Sequence, residues 1–227
     1  MSRSGLNVAS RTADRIGDRW DRIQNHLPSV AQMDLRPLFR TLAATLNGTE
    51  SIERHAARAL LDANAANVDL PRARPLPSDV LEALVAPDAL PVCAMIQDIP
   101  FDWAPPDTSA DPLYIQHSQR KVHVELLGPD GLVHSDAVRL GLYGMRAHAE
   151  YGLRTHPAEE IYVMLAGQSF WMRGNNPYQP HGPAERSYHP SFLPHASKTE
   201  RSAFLSIYAW RGDLSKDDYV YAGLPDR

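Results

Sequence analysis

The apolar positions along this chain change their period near residue 90. Residues 11–27 place Ile16, Trp20, Ile23 and Leu27 at spacings of 4, 3 and 4, a helical stripe with charges opposite. Residues 35–47 repeat the pattern with Leu38, Phe39, Leu42 and Leu46, and Gly48 follows as a stop. Residues 51–66 are alanine-rich and read as a third helix. The run 71–77, PRARPLP, cannot be helical throughout. Ser78 is placed to cap a short helix before Pro87. His26 and His55, on these helices, read as ordinary surface or core residues. Helices this short are marginal unless they pack on something, so this portion is expected to lie against the rest of the chain.

Beyond that point short strand-like segments take over. PVCAMIQDI (91–99) reads as an apolar strand or a buried linker, and 101–112 is turn-rich. Segments at 114–128, 132–147, 159–174, 184–194 and 202–212 follow, with Pro129-Asp130-Gly131 as a hairpin turn between the first two. Short strands with turns at this spacing predict a β-sandwich or small barrel. The expected organisation is mainly β with an α extension: a helical portion over 1–95 packed on a β-barrel over 96–227.

Composition narrows the function classes. The chain has 227 residues, 43% of them hydrophobic, enough for a sizeable core. Its net charge is −4, and basic residues in the helical part alternate with Asp and Glu, which argues against a nucleic-acid partner. Cys93 stands alone, so no intrachain disulfide can form. The first residues carry no apolar run of signal-peptide length, and no stretch reaches the roughly 18 apolar residues of a membrane helix. A soluble, cytoplasmic protein with no membrane partner is expected.

Candidate chemistry is concentrated in His148–Gly167, HAEYGLRTHPAEEIYVMLAG. His156, Glu160 and Tyr162 stand at offsets of 0, 4 and 6, so in an extended strand they share one face. An imidazole, a carboxylate and a phenol together suit a divalent transition metal such as zinc, iron or manganese. A further ligand must come from another segment. His195 in HPSFLPHASKT is the best candidate and His189 the alternative.

This spacing resembles the first motif of the cupin superfamily, in which His-x-His is followed after three or four residues by Glu and six residues later by Gly. Here the His156–Glu160 and Glu160–Gly167 gaps fit, and Pro190 to His195 matches the Pro-to-His distance of the second motif, Pro-x-Gly-x-x-His. The resemblance implies a double-stranded β-helix barrel with a metal inside. Two positions depart from it. Arg154 replaces the first histidine and Phe192 replaces the glycine of the second motif. Tyr162 or His148 would then complete the ligand set.

The pattern His-x-x-x-Glu-x-Tyr with a distant histidine resembles a narrower group, the cupin dimethylsulfoniopropionate (DMSP) lyases. The size, the helical extension and the segment YGLRTHPAEEIYVMLAGQ are most similar to the DddL branch. The resemblance implies one divalent metal held by His156, Glu160, Tyr162 and His195, and Tyr151 as the base, with Tyr162 as the alternative. It implies a β-elimination that releases dimethyl sulfide and acrylate. Aromatic faces stabilise a sulfonium cation, so Trp171, Tyr188 and Tyr143 are expected to bind the substrate. The competing expectation is another metal-dependent cupin, an oxygenase or isomerase acting on a small carboxylate. Cupins often dimerise, and a homodimer acting on a small molecule is expected.

Overall fold

A computed structural model describes residues 31–225, so the stripe at 11–27 and His26 lie outside the described residues. The helical part holds α1 (Arg36–Thr45), α2 (Ser51–Asp62), α3 (Ser78–Leu84) and α4 (Val92–Asp98). A small two-stranded sheet of β1 (Ala31–Met33) and β2 (Val68–Leu70) brackets α1 and α2. Helix α5 (Pro112–Ser118) leads into the strands β3 (Lys121–Gly128), β4 (Val133–His134), β5 (Arg139–Met145), β6 (Glu150–Thr155) and β7 (Glu159–Gly167). These are followed by β8 (Ser169–Arg173), β9 (Gln179–His181), β10 (Arg186–His189), β11 (His195–Lys198), β12 (Phe204–Arg211) and β13 (Val220–Gly223).

The strands form two sheets. One has six strands in the order β10-β7-β12-β5-β3-β4, the other five in the order β13-β6-β11-β8-β9. The chain passes repeatedly between them, β5 to β6 to β7 to β8 and then β10 to β11 to β12 to β13. This winding is the double-stranded β-helix of a cupin barrel.

The six-stranded sheet is buried on both faces, which explains its nearly continuous apolar strands. Along β7 the side chains alternate. Ile161, Val163 and Leu165 join a core shared with Leu38, Phe39, Ile52, Leu81 and Ile96 of the helices. Tyr162 and Met164 face the barrel interior with Tyr143, Tyr151, Trp171, Phe204 and Trp210. The helices are therefore one layer of the same core. Backbone contacts fasten them: Leu90 N–H donates to Leu165 O at 2.8 Å.

Several local expectations need correction. Residues 91–99 form α4, because Val92, Cys93 and Ile96 are buried at helical spacing on one side. The first part of 114–128 is helical too, with Asp111 accepting hydrogen bonds from the N–H groups of Leu113 and Tyr114. The Pro129-Asp130-Gly131 turn forms, but β4 pairs parallel to β3, and the antiparallel partner of β3 is β5. Ser78 makes no capping hydrogen bond. Its neighbour Asp79 instead accepts from Arg146 Nε at 3.1 Å and from Ala147 N–H at 3.0 Å, tying α3 to the end of β5.

Gly167 ends β7 at φ +70°, and a Cβ there would lie 1.9 Å from the Ala203 carbonyl oxygen. Both the backbone angle and the close approach require glycine. Gly167→Ala is expected to destabilise the protein by about 2–4 kcal/mol in urea unfolding. A loss below about 1 kcal/mol would show that the β7–β12 corner relaxes freely.

Candidate metal centre

Four strands and one turn converge on the Glu160 carboxylate. Glu160 points inward from the first turn of β7, and the barrel buries it. His195 opens β11 and brings Nε2 to 3.1 Å from Glu160 Oε2. His156 lies in the turn between β6 and β7, with Nε2 at 3.5 Å from the same oxygen. His189, directly opposite Glu160 in the β10–β7 ladder, places Nδ1 at 3.2 Å. Trp210 of β12 donates its indole N–H to Glu160 Oε1 at 2.6 Å. His156, Glu160 and Tyr162 thus do not share one strand as the spacing implies. Pro157 and Ala158 turn the chain after His156, and the convergence comes from the turn.

The donor set fits a metal ion. One ligand atom each from His156, Glu160 and His195 lies within 4.8 Å of the others. His156 Nδ1 faces the Ala158 carbonyl at 3.0 Å, and His195 Nδ1 faces the Leu193 carbonyl at 2.8 Å. A carbonyl only accepts, so Nδ1 carries the proton in both rings and Nε2 presents a lone pair. Both Nε2 atoms are buried without a hydrogen-bond partner. Lone pairs aimed at a carboxylate require a cation between them. A proton fills that role poorly, since burial drives His195 well below the ordinary imidazole pKa, helped by the charge of Arg154. Burial also opposes ionisation of Glu160, yet its carboxylate stays well below its usual range amid the imidazoles, with His189 Nδ1 and the Trp210 N–H as donors.

His189 differs from the two candidate ligands. Its second nitrogen, Nε2, is engaged with Ser187 Oγ at 2.9 Å. Both ring nitrogens are occupied, and the ring stacks on His195 at 4.2 Å. It therefore orients Glu160 and His195. Tyr162 packs its ring against Trp171 at 4.3 Å and shares the Glu160 face of β7. Burial first, then the Glu160 charge, pushes its phenol well above 10. His148 is exposed at a bend with φ 55°, away from the centre.

Tyr151 borders the same cleft as Arg154, Glu160, Tyr162 and Tyr143. Its hydroxyl meets that of Tyr219 at 2.5 Å. Two basic groups lie over its ring, Lys121 Nζ at 3.6 Å and Arg154 Cζ at 3.8 Å from the centroid. Burial raises the Tyr151 phenol well above 10, and Arg154 works against that rise.

Of the expected substrate-binding aromatics, only Tyr143 lines the cleft, with its hydroxyl unpartnered. Trp171 stands behind Tyr162, its N–H donating to Ser169 Oγ at 2.9 Å. Tyr188 is on the other face of the sheet. It is paired with the outward-facing Ile161, and its hydroxyl donates to Glu159 Oε2 at 2.8 Å. Tyr208, Trp210 and Tyr219 supply the remaining aromatic wall. Tyr219, in the loop before β13, carries no spacing signal, and its place follows only from the fold.

Lys121 is buried with no hydrogen-bond partner for Nζ, and burial together with the Arg154 charge lowers it to about 6. An unfolded lysine binds its proton up to near its ordinary pKa of about 10.4. Between those values the unfolded state holds more protons, so folding loses stability as pH falls from 10 toward 6. Lys121→Met is expected to stabilise the protein by roughly 1–4 kcal/mol at pH 7, with the gain shrinking toward pH 10. Unfolding curves at the two pH values check this, and an equal gain at both would refute the assignment.

No helix among the described residues is long and apolar enough to cross a membrane. A family profile described as dimethylsulfonioproprionate lyase matches residues 49–206, more than half of the chain. DMSP lyase DddQ of Ruegeria pomeroyi is 38% identical over 89 residues, covering 39% of this chain and 44% of that protein. The matched stretch thus spans less than half of that relative. The crystal structure of DddQ from Ruegeria pomeroyi DSS-3 aligns over 82% of this chain and 96% of its own, at 26% identity and a TM-score of 0.56. A structure reported with the DMSP lyases RdDddP and RnDddQII aligns at 20% identity and a TM-score of 0.44, over 95% of this chain and 98% of its own. Both of the first two matches are to DddQ of Ruegeria pomeroyi, whereas the sequence resemblance points to the DddL branch. With a family match of this extent over a cupin barrel, the chain belongs to the DMSP lyase family.

Proposed function

We propose that this protein is a metal-dependent carbon–sulfur lyase that cleaves DMSP to dimethyl sulfide and acrylate. The observation that carries the reading is the buried His156–Glu160–His195 group sharing one cleft with Tyr151. His156, Glu160 and His195, with the Tyr162 phenol beside them, would hold one divalent transition metal ion. Such an ion supplies Lewis acidity that stabilises charge developing on a substrate carboxylate.

The protein's own groups account for the proton transfer. Tyr151, as phenolate, takes the proton from the carbon next to the carboxylate. The C–H electron pair becomes the new C=C bond, the C–S bond breaks, and the sulfur leaves as neutral dimethyl sulfide. Tyr151 ends as a neutral phenol and acrylate keeps the negative charge, so charge and atoms balance. The phenolate must form against burial. The Arg154 guanidinium over its ring and a hydrogen bond from the hydroxyl of Tyr219 at 2.5 Å offset that cost. Tyr162 is the less suited base, since its neighbour is the Glu160 carboxylate. Tyr143, Tyr208 and Trp210 present aromatic faces to the sulfonium.

The test is headspace dimethyl sulfide from metal-loaded protein and DMSP under anaerobic conditions. Release without oxygen supports the lyase and excludes an oxygenase, while no release from folded, metal-loaded protein refutes it. Tyr151→Phe is expected to lower kcat by about 10²–10⁴-fold with metal content unchanged. Full activity in that variant would move the base to Tyr162.

A further inference from the structure

We propose that Arg154 is the carboxylate receptor of the cleft, its free Nη2 taking up the carboxylate of a compact monocarboxylate ligand. This rests on the reading of the cleft as a lyase site and names the group that selects an anionic substrate there.

Arg154 is 1% exposed, yet it lines the cleft. Its guanidinium makes a long hydrogen bond, Nη1 to the Gly152 carbonyl at 3.4 Å. Nη2 is buried with no hydrogen-bond partner. The acids that share the cleft are already engaged. Glu160 serves the imidazoles and Trp210, Glu125 is paired with Arg139, and Asp107 with Lys216. A buried guanidinium with an unsatisfied donor is costly, and a fork of donors with free capacity fits a carboxylate.

A second unpartnered donor reinforces the case. Lys121 Nζ is also buried and unpartnered, on the same Tyr151 ring. Burial, and then the Arg154 charge, lower its pKa to about 6, which leaves Arg154 as the fixed cation of the pair. Position links Arg154 to the chemistry. It lies two residues before His156 and faces His195 in the β6–β11 ladder. Its guanidinium lies over the Tyr151 ring, so a carboxylate on Arg154 shares the cleft with the base and Glu160.

The experiment titrates the zinc-loaded full chain, and the same chain treated with chelator, with acrylate. Acrylamide serves as the neutral isostere. Wild type is expected to bind acrylate in both forms and to prefer it to acrylamide by at least about tenfold. Arg154→Gln should weaken acrylate by at least about tenfold with zinc content unchanged, and Arg154→Lys should recover part of the loss. In DMSP turnover the Gln variant should raise KM more than it lowers kcat. Acrylate affinity in Arg154→Gln within about twofold of wild type overturns the proposal, as does wild type that fails to bind acrylate. If circular dichroism shows the Gln variant unfolded, Arg154→Lys decides, since loss of the planar fork should still cost several-fold. The titration needs no turnover. Arginine-dependent acrylate binding without dimethyl sulfide release refutes the lyase and keeps the receptor. Release with arginine-independent binding does the reverse.

Discussion

The structure depends on one buried charge, the carboxylate of Glu160. A lone carboxylate in this barrel would be untenable. His189 and Trp210 offer it hydrogen bonds, and His156 and His195 surround it with lone pairs that suit a cation. The β6–β7 turn brings His156, β10 brings His189, β11 brings His195 and β12 brings Trp210. The two sheets must therefore close in register for any of these contacts to exist. The helices enter the same requirement from outside. They cover the far face of β7, so Ile161, Val163 and Leu165 fix the strand that aims Glu160 inward. The polar centre and the apolar layer are the two faces of one strand.

Much of this is legible in the sequence because it depends on local spacing. The helical stripes from residue 35 onward, the apolar run of β7 and the His156-to-Glu160 gap are short-range patterns. What is not legible depends on pairing across the sheets. Side-chain chemistry groups Tyr188 with the site, but it pairs with Ile161 while its neighbour His189 pairs with Glu160. Strand parity alone sends one out and the other in. Lys121 and Tyr219 meet Tyr151 from opposite ends of the barrel sequence, and no spacing rule links them. The segment 91–99 is ambiguous for a different reason. A seven-residue apolar helix and a buried strand look alike when every second or third residue is hydrophobic.

The cleft also holds groups that folding alone would not retain. Lys121, Arg154 and Tyr143 each have a buried polar atom without a partner. Native interiors contain few of these, and each destabilises the fold. Here they gather around one tyrosine instead of being scattered, on the side of the barrel that also holds His156 and His195. Unsatisfied donors beside an aromatic wall describe a cleft that suits an anionic group at one end and an apolar or cationic one at the other. Under the proposed function, the donors face the carboxylate of DMSP and the aromatic wall faces its sulfonium.

The two departures from the cupin motifs are of different physical kinds. Phe192 stands where the second motif has glycine, and its φ of 58° keeps the left-handed conformation that glycine would adopt. Its backbone N–H donates to the His156 carbonyl at 2.8 Å, so the strain is retained to hold the ligand turn. The backbone role survives the substitution, and the side chain, largely exposed, takes no part in the barrel interior. Arg154 shows the opposite behaviour. The strand position is unchanged, but a neutral donor of electrons is replaced by a fixed cation. A guanidinium cannot ligate a metal ion, because it has no lone pair to give. Its charge disfavours a cation beside it and favours an anion. The first departure therefore preserves the geometry of the centre, and the second changes what the centre accepts.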